Sequence, residues 1–131
     1  WREVFKPMYR DYAQIAHSHG KRIFMHSDGA IASIYPDLVE IGIDAVNSQL
    51  FCMEPENLAV HAGRITFWGE IDRQHLLPNG TPQEIDAAVR RVHANLWKNG
   101  GCIAQCEFGP AARPENVRQV FASWDQVGGR Q

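Results

Sequence analysis

The sequence predicts an α/β fold in which four parallel strands alternate with helices and form half of a (β/α)8 barrel. Four times a helix-like segment ends at a glycine (Gly20, Gly42, Gly63 and Gly100) and an apolar strand follows at once. Such alternation is typical of parallel strands covered by helices. No glycine-rich phosphate loop follows any strand, which weakens the alternative of an open doubly wound sheet. The 131 residues are also about half of the roughly 250 that a complete barrel needs.

The helices are predicted from their caps and their apolar periodicity. The clearest begins at Thr81, with Pro82 at the first helical position and Glu84 closing a capping box. Its apolar residues recur at the spacing of one buried stripe, at Ile85, Ala88, Val89, Val92 and Leu96. The segment PENVRQVFASWDQV repeats this design, and further helices are predicted after Pro7, in IASIYPDLVEIG and in EPENLAVHAG.

The strands are predicted near residues 22–27, 44–48, 65–70 and 102–106. Because successive side chains of a strand point to opposite faces, each strand has one face that ends in polar groups. These faces carry Phe24, His26 and Asp28; Ala45, Asn47 and Gln49; Trp68, Glu70 and Asp72; and Cys102, Ala104 and Cys106. The carboxyl ends of barrel strands meet at one mouth, where barrel enzymes carry their chemistry. The sequence therefore predicts a functional site built from these four strand ends.

Some of these residues also have ordinary structural explanations. Asp28 could cap the helix that follows it, Glu70 could pair with Arg64 or Arg73, and Cys106 could be a small buried core residue. The other five histidines are interpreted as surface residues: His17, His19, His61, His75 and His93. The joint pattern is more informative than its parts, because His, Asp and Cys are residue types that bind zinc.

The composition limits the classes of function. A formal net charge of −2 at pH 7 gives no reason to expect nucleic acid or an anionic membrane as a partner. No window approaches the roughly 18 consecutive apolar residues of a membrane span. Three cysteines do not make a disulfide framework and favour a reducing compartment, here the cytoplasm. The chain starts at Trp1 directly in helix-like sequence, which suggests one partial domain over residues 1–131 whose N-terminal half is missing.

Several motifs resemble those of a known family. The most specific are HSDG at residues 26–29, GEID at residues 69–72 with LLPNGTPQE after it, and PENV at residues 114–117. Together they resemble the C-terminal half of the uroporphyrinogen decarboxylase superfamily, over nearly the whole chain from about Pro7 to Trp124. The resemblance implies a (β/α)8 barrel and one of two chemistries. One is cofactor-free decarboxylation of a porphyrinogen in tetrapyrrole biosynthesis, and the other is zinc-dependent methyl transfer from a corrinoid to a thiol.

The methyltransferase-like branch, which includes the methylcobalamin:coenzyme M methyltransferases, is the closer resemblance. Its His-x-Cys-Gly motif and a Cys before the PEN helix hold zinc, and His26, Asp28 and Cys106 occupy those positions here. Asp28 replaces a Cys, but a carboxylate is also a permissible zinc ligand. The decarboxylase motifs Gly-Asn-Leu-Asp-Pro and Gly-His-Gly are not matched by GEIDRQ and QCEFGP. The resemblance therefore implies a zinc site and a corrinoid methyl donor, which a partner corrinoid protein could carry.

The remaining polar residues of the mouth receive roles within that mechanism. Glu70, Asp72 and Glu107 are predicted to be catalytic, and the predicted substrate contacts are Asn47, Gln49, Trp68 and Gln105. A thiol bound at the zinc would be deprotonated and would attack the methyl group presented at the mouth. Two alternatives remain open. One is metal-free porphyrinogen decarboxylation, which would need cationic groups for the substrate carboxylates, and the other is a non-catalytic barrel that only binds a ligand.

Overall fold

The computed structural model describes residues 1–129, in which helices and strands alternate along the chain. The elements are α1 (Phe5–Ser18), β1 (Phe24–Ser27), α2 (Tyr35–Glu40), β2 (Ala45–Ser48), α3 (Pro55–Leu58), β3 (Thr66–Gly69), α4 (Leu76–Asn79), α5 (Pro82–Leu96), β4 (Cys102–Ala104) and α6 (Pro114–Val127). The four strands form one parallel sheet in the order β1-β2-β3-β4. This arrangement confirms the predicted α/β fold with strands in the succession of a barrel half. Within the described residues, no helix is both long and apolar enough to cross a membrane.

Local sequence signals account for the boundaries of these elements. Gly42 and Gly63 follow helical segments with φ of +86° and +79°, a region that side chains other than glycine rarely adopt. The hydroxyl of Thr81 accepts a hydrogen bond from the Glu84 backbone N–H, while the Glu84 carboxylate accepts one from the Thr81 backbone N–H. The predicted capping box is therefore present at the start of α5.

The core lies between the sheet and the helices. Met25, Val46, Phe67 and Cys102 are aligned across the four strands and are all buried. The apolar residues predicted for the buried side of α5 belong to the same core cluster and are also buried. The opposite face, called the inner face here, carries the aligned residues His26, Asn47, Trp68 and Ile103. It is open in this chain, since Phe24 is 48% exposed and Ile103 42% exposed.

Two expectations about individual residues are wrong. Cys102 is not on the inner face with Trp68 but is aligned with the buried Phe67 on the helix-facing side. A Cβ placed on Gly69 would meet the Cys102 sulfur at 3.1 Å and the Trp124 ring at 3.0 Å, which fixes Cys102 beside α6. The inner-face position belongs to Ile103. His61, interpreted as a surface residue, is buried and stacks on Tyr35, with ring centroids 5.6 Å apart.

Candidate active site

The end of β1 places two polar side chains next to each other at the carboxyl edge of the sheet. His26 Nε2 lies 3.7 Å from Asp28 Oδ2, and His26 Nδ1 lies 2.5 Å from Asn47 Oδ1 on the neighbouring strand. Because an amide oxygen only accepts hydrogen bonds, Nδ1 of His26 is the donor in the contact with Asn47. Nε2 is therefore the ring nitrogen that faces Asp28.

Arg73 joins the ends of three strands. It lies in the loop after β3, and its Nη2 donates to Asp28 Oδ1 at 2.5 Å. Its Nη1 donates to Glu107, which follows β4, and its Nε lies 3.5 Å from Glu70 Oε1. One guanidinium thus connects three carboxylates that are 45, 34 and 3 residues away in the sequence. We call this set of four side chains the Arg73 cluster.

Glu70 is the buried carboxyl of the cluster. It is 3% exposed, and burial raises its pKa to about 7, although the charge of Arg73 acts in the opposite direction. The carboxylate of Asp28 nearby also disfavours ionisation of Glu70. Oε2 of Glu70 has no hydrogen-bond partner within the described chain. A buried carboxyl that titrates near neutral pH, with one oxygen free, is suited to accept and release a proton.

Three side-chain nitrogens at or just after the strands also lack partners within the described chain. Within residues 1–129, Asn47 Nδ2, Trp68 Nε1 and Gln105 Nε2 are buried without a hydrogen-bond partner. Asn47 and Trp68 are aligned neighbours on β2 and β3, and Gln105 follows β4 directly. Buried polar atoms are nearly always paired in folded proteins. Such a concentration on one face of the sheet therefore indicates a place where another molecule, or another part of the barrel, supplies the acceptors.

Two of the predicted site residues are engaged in shaping loops. Gln49 Oε1 accepts a hydrogen bond at 2.8 Å from the backbone N–H of Gly29, where φ is +78°. Asp72 Oδ1 accepts hydrogen bonds from the backbone N–H groups of Gln74 and His75, both at 2.9 Å. These contacts hold the loops after β1 and β3 that carry Asp28 and Arg73.

Comparison with known proteins identifies the family of this chain. Residues 1–127 match the uroporphyrinogen decarboxylase (URO-D) family. The chain belongs to the uroporphyrinogen decarboxylase family. Among solved structures it is similar to a methyltransferase from Methanosarcina mazei, with a TM-score of 0.76 and 18% sequence identity, over 98% of this chain and 37% of that chain. At this identity the likeness establishes the fold, and the chain spans little more than a third of that structure. A search of curated proteins gives no match.

The predicted zinc ligands of this uroporphyrinogen decarboxylase family member are only partly brought together. His26 and Asp28 are adjacent, but Asp28 is bound by Arg73, and Cys106 lies in the core cluster. Burial and the charge of Glu70 raise the pKa of the Cys106 thiol to about 11, which keeps it protonated at neutral pH. In the part of the chain that the structure describes, no group of three or more His, Cys, Asp or Glu side chains is arranged to hold a metal ion. The donor types suit zinc, but this arrangement does not fit it, and the zinc site stays a prediction.

The sequence interpretation missed the central position of Arg73. Arg73 was considered as a rim partner of Glu70, whereas the structure places it at the centre of carboxylates from three strand ends. The available signal was its place three residues after Glu70, in a loop that a barrel positions at the mouth. The segment with Gln105 and Cys106 is held by Trp124, whose Nε1 donates to the Gln105 carbonyl at 3.1 Å.

Proposed function

We propose that this chain supplies half of the active site of a barrel enzyme that transfers a methyl group from a small methylated molecule or a corrinoid to a thiol. The observation that carries the proposal is the Arg73 cluster with His26 beside it, at the carboxyl ends of β1, β3 and β4. Barrel enzymes place their chemistry at this end of the strands. The resemblance of HSDG and the Cys106 segment to the methyltransferase-like branch supports methyl transfer, and so does the name of the similar methanogen structure.

Glu70 is the residue proposed to handle the proton. As a carboxylate it would take the proton of the substrate thiol at its unpartnered Oε2. The sulfur would then form a bond to the methyl carbon, while the bond between that carbon and the donor breaks and leaves its electron pair on the donor. A pKa of about 7 leaves Glu70 able to accept this proton and later to release it at neutral pH. Asn47, Trp68 and Gln105 would orient the substrate through their unpartnered N–H groups.

Porphyrinogen decarboxylation is the alternative reaction. It would require cationic groups free to hold the substrate carboxylates. Three arginines are candidates for this role. Arg73, the cation between the strand ends, is already bound by three carboxylates, Arg64 lies beside the amino end of β3, and Arg113 is exposed at the start of α6. Arg113 would therefore have to hold the several carboxylates of a porphyrinogen, so this half of the site offers less to a polycarboxylate than to a thiol.

The test uses the full-length protein with a thiol and methylcobalamin, and mass spectrometry to detect the S-methyl product. The matched variants are Glu70→Gln, in the Arg73 cluster, and Glu84→Gln, at the exposed cap of α5. We expect Glu70→Gln to lower the transfer rate by about 100-fold, as for loss of a general base, and Glu84→Gln to leave it unchanged. Carbon dioxide release from uroporphyrinogen, without any S-methyl product, would contradict the proposal.

Zinc and a corrinoid protein are the further parts of this proposal. Metal analysis of the full-length protein tests the first, with His26→Ala and Cys106→Ser expected to lower the zinc content. Co-purification with a corrinoid protein tests the second.

A further inference from the structure

The amino end of the sheet carries a cleft that is separate from the mouth. Its volume is about 340 Å³, and it is lined by residues that precede each of the four strands, among them His17, Asp44, Arg64 and Lys98. The length of a strand of four residues, roughly 13 Å, separates this cleft from the Arg73 cluster at the carboxyl ends. We infer that the cleft, called the basic cleft here, binds a small molecule that carries a phosphate group.

The carboxylate of the basic cleft is already bound by this chain. Asp44 is the acidic residue among the lining residues that the structure describes. Its Oδ2 lies 2.7 Å from His17 Nε2 and accepts a hydrogen bond from the backbone N–H of Ile23 at 2.9 Å. Its Oδ1 accepts a hydrogen bond from Arg22 Nη1, also at 2.9 Å. The negative charge of Asp44 is therefore balanced without the other cations of the cleft.

Two cations of the basic cleft have no partner in the described chain. Within residues 1–129, neither the guanidinium of Arg64 nor the ammonium of Lys98 takes part in a hydrogen bond or an ion pair. The charge of Arg64 acts instead on the buried His61, since burial and this charge both lower the pKa of the imidazole. A cleft lined by unbalanced charge of one sign attracts ligands of the opposite sign. Arg64 and Lys98 are thus available to an anion.

The backbone of the cleft brings these two cations to one wall. A Cβ placed on Gly63 would lie 3.2 Å from Lys98 Cδ, so the stem of Lys98 packs directly on the Gly63 backbone, and Arg64 is the next residue in the chain. On the neighbouring connection, a Cβ placed on Gly42 would lie 3.3 Å from the His17 ring. A side chain at either glycine would fill part of the cleft and displace the side chain that packs there. The glycines before β2 and β3 therefore keep the cleft open.

The chemistry of the two cations indicates the class of ligand. A phosphate group offers several anionic oxygens, which a guanidinium binds through its fork of donors and an ammonium binds as a point charge. The volume of the cleft is in the range of small-molecule sites. A net charge of −2 does not favour the extended phosphate backbone of a nucleic acid. The inference does not depend on methyl transfer, because it concerns the other end of the sheet.

The experiment measures binding of inorganic pyrophosphate to the full-length protein by isothermal titration calorimetry at constant ionic strength. Arg64→Gln and Lys98→Gln each remove one charge from the cleft, and Lys98→Arg keeps the charge. Arg118→Gln is the matched control, since it removes an exposed arginine of α6 that does not line the cleft. We expect Arg64→Gln and Lys98→Gln to weaken binding about tenfold each, as for loss of a hydrogen bond to a charged group. Lys98→Arg should retain most of the affinity, and Arg118→Gln should leave it unchanged.

Four results would overturn the inference. The first is that the wild type does not bind pyrophosphate at millimolar concentrations. The second is an equal loss of affinity in Arg118→Gln, because binding would then follow the charge of the surface and not the cleft. The third is an equal loss in Lys98→Arg and Lys98→Gln, which would mean that Lys98 acts by packing on Gly63 and not by its charge. The fourth is binding of single-stranded RNA that is tighter than that of pyrophosphate and is lost in Arg64→Gln and Lys98→Gln, which would assign the cleft to a nucleic acid. None of these results would change the proposed reaction at the mouth.

Discussion

The two faces of the sheet use alternate residues of the same strands for opposite purposes. On the helix-facing side, Val46 and Phe67 are completely buried, and Met25 and Cys102 are 8% exposed. On the inner face, the indole N–H of Trp68 has no partner within residues 1–129. The Trp68 ring lies against Phe24, whose ring centroid is 4.6 Å away and which is half exposed. Adjacent residues in one strand thus lie on a fully packed core face and on an open, partly exposed face.

The comparison shows where this chain gains and loses stability. Burial of apolar side chains on the helix-facing side is the main favourable contribution to folding. The inner face instead has polar atoms that lack partners in the described chain and a carboxyl, Glu70, whose pKa is raised by burial. Such features destabilise a folded chain and are expected where a protein binds or transforms a ligand.

The largest expected effect comes from truncating one residue on each face of β3. Phe67→Ala should lower the free energy of unfolding by about 3–5 kcal/mol, as for a buried aromatic residue that leaves a cavity. Trp68→Ala should cost less than half of that, because its ring is only partly buried at the inner face. Urea denaturation of the full-length protein measures both. Equal losses would show that the inner face is a packed core in the full-length protein.

The next largest effect is a pH dependence of the free energy of unfolding that is caused by Glu70. Its pKa is raised from 4.5 to about 7 on folding, so the folded state holds a proton that the unfolded state has released between these values. The contribution of Glu70 to stability therefore falls as pH rises from about 4.5 to 7, by roughly 3 kcal/mol at most. Glu70→Gln has no such proton to lose.

The measurement compares unfolding free energies of wild type and Glu70→Gln at pH 5 and pH 8. We expect the unfolding free energy of Glu70→Gln to increase relative to that of the wild type as pH rises, because other groups titrate equally in both proteins. A constant difference across this range would mean that Glu70 is not protonated by burial, and the contrast between the two faces would lose its electrostatic part.

A smaller effect is expected at a helix end remote from both faces. Thr81→Ala removes the hydroxyl of the capping box and should lower the free energy of unfolding by about 1 kcal/mol. Because the side-chain hydrogen bonds of Thr81 are with Glu84, outside the Arg73 cluster, methyl transfer should be unchanged when measured below the unfolding temperature. Loss of activity in this variant would show that α5 and the mouth are coupled.

The features that the sequence predicts correctly depend on neighbours along the chain. The glycine after each helix, the capping box at Thr81 and the apolar stripe of α5 are all local, and all are present. The face of the sheet predicted for Cys102 was wrong. That face was chosen because Cys102 and Cys106 are an even number of residues apart, but β4 has three residues and its pairing with β3 aligns Cys102 with the buried Phe67. Pairing across a sheet is not visible in one strand.

The sequence predicts where the candidate site lies but not which of its side chains contact one another. The mouth follows from the polar ends of the strands, and His26, Asp28, Glu70 and Glu107 do meet around it. The role of Arg73 could not be predicted, because its contacts with Asp28 and Glu107 join segments 45 and 34 residues apart. A loop arginine in a sequence carries no signal of the carboxylates that will surround it.

The smallest effect on stability should accompany a large effect on function, at His26. The side chain is 49% exposed, and its contacts are the hydrogen bond to Asn47 and the approach to Asp28, so His26→Ala should change the free energy of unfolding by no more than about 0.5 kcal/mol. The same variant removes the ring nitrogen that faces Asp28 and should abolish methyl transfer. Phe67→Ala should mainly lower stability, and His26→Ala should mainly lower activity. The two variants together therefore assign stability to the helix-facing side and activity to the inner face. If His26→Ala were as active as the wild type, His26 would have no part in the reaction, which Glu70 would then carry out without the end of β1.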